Sequence, residues 1–276
     1  MYYKKYLYIF FLTLALSLSF FSTIKAKEFF IDQIEIQEKL ENDFNKEKLI
    51  NKGFIRAFKE LMSKLVQSKN LNKVENIKLN EIKSMVETFT IKEEKFINKT
   101  YNLSLGVSFN KKKVFEYLDS KNIFPTQIKV ENFLFVPILL DQANDDIIIY
   151  SNNPIYNMWK SSNNRHYLIK YILPTEDLDD LNIIRENYQN IENYNFEKII
   201  RKYFLENSIV AIFFKDENEV KVLSRIVIKD EKVIKSNSFN NINFENQNEV
   251  DKLITQLKII YEDFWKEKHL INTSIK

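Results

Sequence analysis

The stretch YILPTEDLDDL, Tyr171 to Leu181, crowds four acids together at Glu176, Asp177, Asp179 and Asp180. Carboxylates this close can share a divalent cation through hard oxygen ligands. They can divide acid and base roles, because neighbouring like charges push one pKa upward. They can also open a helix, where negative charge meets unpaired amides and the positive end of the dipole. The order of residues favours the helix start. Pro174 breaks the apolar run before it, Thr175 can cap, and Leu178, Leu181 and Ile184 recur at helical spacing on a core-facing side. The metal reading keeps Asp177, Asp179 and Asp180 as its candidate ligands. An EF-hand is excluded, since its sixth and twelfth places, counted from Asp177, fall on Asn182 and Tyr188 rather than Gly and Glu.

Little other chemistry is on offer. The only glycines, Gly53 and Gly106, lie outside any phosphate-cradling motif, and there is no G-x-S-x-G elbow. With no Cys, a thiol nucleophile, a thiolate metal site and disulfides are all absent. His166 and His269 stand far apart with no partner motif and read as bystanders. The aromatics Tyr156, Trp159 and Tyr167 can line a groove, but they fit core packing better. No catalytic residue and no cofactor is assigned.

The first residues read as an address. Lys4 and Lys5 form a positive start, Tyr6 to Phe21 an apolar run, and Ala26 a small residue before cleavage, so residues 1–26 are expected to be a secretory signal peptide. The alternative is an uncleaved helix tethering the chain to the inner membrane, because Tyr6 to Ile24 lacks charge over nearly the length of a span. The chain of 276 residues carries 41 basic and 38 acidic residues. Without Lys4, Lys5 and Lys25 the two counts are equal at 38, which argues against a nucleic-acid partner.

The elements that would position the acids fall into two units with no internal repeat. The expected class is α+β: two small units, each a mainly antiparallel sheet with helices packed on one side. Residues 27–124 should run β-α-α-β-β-α. A strand spans 29–36, and a helix carries the stripe Leu49, Phe54, Ala57/Phe58, Leu61/Met62, Leu65/Val66. A short helix covers 79–86, and a hairpin turns at Asn98-Lys99. Its second arm alternates Tyr101, Leu103, Leu105, Val107 and Phe109 with polar or small residues, and a helix over 111–120 follows. Residues 130–270 hold FLFVPILL, Phe133 to Leu140, a strand covered on both faces, with Pro137 demanding an edge position or a bulge. Asn153 and Pro154 start a helix, and HYLIKYIL, 166–173, is a strand. A helix at 195–206 buries Phe196, Ile199, Ile200, Tyr203 and Phe204. Three strands follow, SIVAIFF, 219–229 and 232–239, the last two joined at Asp230-Glu231. The final helix runs over 249–268.

RAFKELMSKLV (Arg56 to Val66), YNLSLGVSFNKKKVFEYL (Tyr101 to Leu118), YILPTEDLDDL and the later SIVAIFF occur in an order that resembles the uncharacterised proteobacterial exported family termed domain of unknown function 2066. Members usually carry a Trp and an Arg-Pro pair before the strand matched by FLFVPILL, where this chain has IFPTQIKVENF. The resemblance implies a Gram-negative envelope location and no established reaction. The expectation is therefore a periplasmic, non-enzymatic binding or assembly module with protein partners in the envelope, touching the membrane only if residues 1–26 are retained. A metal-dependent enzyme using the Asp177/Asp179/Asp180 cluster is the alternative.

Overall fold

The computed structural model describes residues 28–40, 44–161, 168–216 and 219–271. Residues 1–26, expected to be a signal peptide, and His166 and Tyr167 lie outside them. The chain opens with strand β1 (Phe30–Lys39) and helix α1 (Lys46–Leu65), which Asn45 caps by accepting the Lys48 amide at 3.1 Å. The apolar stripe of α1 is buried from Leu49 to Leu65. Gly53 lets the helix lie close on the sheet, since a Cβ there would come within 2.6 Å of Leu105 and Ile36 methyls. Two short helices follow, α2 (Ser68–Glu75) and α3 (Leu79–Met85). The α2 turn was missing from the expected order, because in SKNLNKVE only Val74 is buried and no stripe shows. The hairpin β2 (Val86–Ile97) and β3 (Thr100–Phe109) turns on Asn98 and Lys99, both at positive φ of 50° and 60°, as a two-residue primed turn requires. β3 takes the centre of an antiparallel sheet, order β1-β3-β2, and buries Leu103, Leu105, Val107 and Phe109 against α1. Helix α4 (Lys111–Ser120) closes this layer with Val114 and Leu118.

The second sheet is mixed. It contains β4 (Glu131–Asp141), β5 (Asp146–Ile148), β6 (Ile169–Ile172), β7 (Asn207–Lys215), β8 (Glu219–Ile228) and β9 (Glu231–Asn240), in order β5-β4-β7-β8-β9 with β6 also on β4. β6 and β7 run parallel to β4; the other pairings are antiparallel. Pro137 lies in an interior strand, yet its position is locally an edge. β6 reaches only Leu134 and β5 starts at Leu139, so the stretch between has no strand beside it, and the Pro137 carbonyl bonds the Asn153 side chain there at 3.2 Å. Because N and C=O of one strand residue point the same way, the missing N–H costs the ladder nothing.

The class is α+β, but helices cover both faces of this sheet, not one. Helices α5 (Pro154–Ser161) and α8 (Gln247–Lys268) share one core with Phe133, Phe135 and Phe213. Helices α6 (Leu178–Glu186) and α7 (Glu197–Arg201) cover the other side with Leu134, Ile138 and Ile212. The helix expected at 195–206 shrinks to α7, since the chain turns after Arg201 and Phe204, at φ 52°, is 94% exposed. The β8–β9 turn centres on Lys229-Asp230, one residue earlier than expected, with Lys229 at φ 54°.

Helix α8 also joins the two sheets. Asp263 accepts from the backbone amide of Ser68 at 2.7 Å and from its hydroxyl, capping the start of α2. One turn on, Lys266 donates to the carbonyls of Ser63 (2.5 Å) and Val66 (3.1 Å) at the end of α1. Glu262 accepts from the amides of Leu168 (2.8 Å) and Ile169 (3.3 Å) and lies 3.9 Å from Lys266. Both charges are buried, so desolvation raises the Glu262 pKa and lowers that of Lys266, each opposed by the other's charge. Removing one partner strands the other. Lys266→Met should cost about 3 kcal/mol in urea denaturation at neutral pH. Adding Glu262→Gln should recover part of that loss, as a double-mutant cycle would read.

Candidate functional site

The acidic stretch follows β6 and does open a helix, with a different cap from the one expected. Asp177, extended at φ −143°, accepts the amides of Asp179 (2.9 Å) and Asp180 (3.2 Å). Thr175 instead donates its amide to the Tyr203 hydroxyl at 2.9 Å. Leu178 is 77% exposed and not in the core; the inward positions of α6 are Asp180 and Ile184. Glu176 accepts the Ser151 amide at 3.3 Å and Asp179 stays on the exposed side.

Asp177 and Asp180 do come together, around a lysine rather than a vacant position. The Lys202 ammonium lies 2.7 Å from Asp177 Oδ2 and 2.6 Å from Asp180 Oδ1. Asp180 is fully buried and its Oδ2 has no partner. Tyr150, at a strained φ of 54°, stands beside the pair. The bond from Lys202, with help from the two helix amides, holds the Asp177 carboxyl below its usual range. The two carboxylates raise the Lys202 ammonium, and burial followed by the Asp180 charge raises the Tyr150 hydroxyl. These three shifts all move away from neutrality, whereas acid–base work at pH 7 needs a group that titrates near it. The cation position between the carboxylates is filled by Lys202. Among the described residues no group of three or more acids, His or Cys could hold a metal ion. A cleft of about 550 Å³ adjoins this cluster, lined in part by Tyr150, Glu176 and Arg185.

The other candidates are structural. His269 follows α8, its Nδ1 2.8 Å from the Trp265 carbonyl and its ring against Trp265. Tyr156 donates to the Pro174 carbonyl at 2.8 Å, and Trp159 stacks on Phe135 in the core. Sequence reasoning missed Lys258, which is buried with its ammonium 5.1 Å from the Trp159 ring and 5.7 Å from Tyr171. Desolvation pushes it down to about 8. A lysine on an apolar helix stripe gives no signal of its own in a Lys-rich chain.

Two surfaces remain open. β2 is an edge strand at the margin of the helix layer: Phe89 meets Phe54 of α1 edge-on at 5.2 Å, yet Phe89, Ile91 and Phe96 on its inward side are partly exposed, with Ile97 exposed at its end. On the second sheet, the helical cover stops short of β8 and β9, leaving a groove of about 1000 Å³. No helix among the described residues is long and apolar enough to cross a membrane. No family model matches this chain, and no curated protein matches it.

The Lys202 pairing sets a pH window. Asp177 has a lowered folded pKa, so its contribution is present above the unfolded value near pH 4 and fades as pH falls through the folded one. Lys202 has a raised folded pKa, so its contribution is present below about pH 10.5 and fades as pH climbs through the folded value. Lys202→Met should therefore lower the unfolding free energy between those limits, mostly by stranding buried Asp180, and lower it less below pH 4, as urea denaturation across pH would read. Calcium, magnesium, manganese or zinc should leave the melting temperature of the natural chain unchanged.

Proposed function

We propose that the protein is an exported, non-enzymatic binding or assembly module of a Gram-negative cell envelope, resident in the periplasm and working through protein partners. The observation that carries this reading is the β2 edge. A twelve-residue strand at a sheet edge leaves a row of backbone donors and acceptors with no strand partner among the described residues. Beside that row stand Phe96, 61% exposed, and Phe89, 45% exposed. Such an edge suits an extended segment of another protein, which would add a strand and cover the aromatic rings. Lys92, Glu93, Glu94 and Lys95 in mid-strand favour a partner strand of mixed charge, with little gain from a purely basic or acidic one. The address rests on residues 1–26 and on the likeness of Arg56 to Val66, Tyr101 to Leu118 and Tyr171 to Leu181 to the exported family.

The test is capture of cross-linked partners from native envelope by the tagged chain. A defined partner should be recovered by the natural chain and lost on Ile91→Lys with Phe96→Glu, while stability changes by less than about 1 kcal/mol because both sites are exposed. Absence of any partner, together with a robust hydrolase activity, would refute the reading. Export with cleavage should give an intact mass that begins at Lys27.

A further inference from the structure

The groove over β8 and β9 has a floor set by strand register. Val210, Arg225 and Ile234 are direct neighbours across β7, β8 and β9, and Ser208, Val227 and Lys232 form the next row on the same face. Phe196, Ile200 and Leu205 stand at its sides. Arg225 is the unusual member. Its Nη1 donates to the Tyr194 carbonyl, its guanidinium lies 5.8 Å from the centre of the Phe196 ring, and its buried Nε has no acceptor. Among the described residues no carboxylate forms an ion pair with it. Ser208, 1% exposed on the same floor, has a buried hydroxyl with no partner.

The guanidinium is partly desolvated, and the nearby Glu192 charge offsets this without an ion pair, so an anion in the groove would supply the direct partner that it lacks. Its planar fork matches a carboxylate. The lining holds Arg201, Arg225, Lys229 and Lys232 against Glu197, Glu206 and Asp230, with Arg201 already paired to Glu197 and Glu192 near Arg225, so the groove has little positive charge to spare and suits a monoanion better than a dianion. The rest of the floor and walls is aliphatic and aromatic, and Ile234 is 65% exposed at the open side. We propose that this groove binds a free acyl carboxylate, its head group at Arg225 and its chain along Val227, Ile234 and Leu205. The site is separate from the β2 edge, so the two stand or fall independently.

Calorimetric titration of the purified chain with decanoate and decanol, both below micelle-forming concentrations, tests it. Decanoate should bind at least about tenfold more tightly than decanol, and Arg225→Gln should remove that difference while leaving decanol within about twofold. Ile234→Asp, at an exposed position that leaves folding intact, should weaken both. The proposal is overturned if decanoate and decanol bind alike, or if decanoate does not bind at millimolar concentration. It is equally overturned if Arg225→Gln unfolds cooperatively like the parent and retains the preference for decanoate. Tighter binding of a peptide acid such as acetyl-Ile-Val-Val than of decanoate also overturns it, since the groove would then read a chain terminus.

Discussion

The fold hinges on the buried charges of one helix. α8 fills the core of the second sheet with Val250, Leu253, Ile254, Leu257 and Tyr261, the ordinary use of an amphipathic helix. Its last turns do something further. Asp263 and Lys266 meet the start of α2 and the end of α1, while Glu262 holds the amides that lead into β6. Three helix and strand ends that would otherwise bury unpaired backbone groups are satisfied from one helix. The chain between the sheets is tied to the same place. The Thr126 hydroxyl bonds the carbonyls of Lys266 and His269, and the Trp265 indole donates to the Lys129 carbonyl. A buried charge network of this kind is worth less for net stability than for allowing only one arrangement, because any shift leaves a charge without its partner.

That joint leaves its mark on where functional surfaces can lie. The side of the second sheet that faces α8 is committed to packing. The opposite side is covered over β4 and β7 by α6 and α7 and open over β8 and β9. The first sheet is covered over β1 and β3 by α1, and β2 lies at the margin of that cover, where Phe89 meets Phe54. The acidic cluster is a local tie within the second unit. Lys202, Asp177 and Asp180 fasten the turn after α7 to the start of α6, much as Glu176 fastens the same loop to Ser151.

The periodic parts of this fold were legible in the sequence for a simple reason: one-sided burial writes itself into residue spacing. The stripes of α1 and α8, the alternation of Leu103 to Phe109 and the apolar run of β4 all follow that rule. Pro137 was legible as an edge feature, although only register shows how an interior strand supplies a local edge. The misses share a different cause. Asp180 points inward where Leu178 does not, because Lys202, distant in sequence, supplies the charge that makes burial of a carboxylate tolerable. Glu262 and Lys266 read as ordinary polar positions of a helix end, and pairing between distant segments leaves no trace in local pattern; Lys258, in mid-helix, is buried against Trp159 and Tyr171 with equally little local signal. The acids were recognisable as a helix start, but the cap is Asp177, whose carboxylate takes the Asp179 and Asp180 amides, while the Thr175 amide and hydroxyl both face the Tyr203 hydroxyl, a partner distant in sequence. The two open surfaces follow from where covering helices stop, and that is set by tertiary packing.

The central claim is that the chain acts by presenting an edge, with the acid cluster serving only to hold the loop. Site-specific photo-cross-linking in native envelope addresses it most directly, with a photoreactive residue placed in turn at Phe96 on β2 and at Leu178 beside the acid cluster. Both side chains are well exposed, at 61% and 77%, so access is comparable. The expected result is a discrete protein adduct from position 96 and none from position 178. Adducts from position 178 alone would contradict the claim and return attention to the acids.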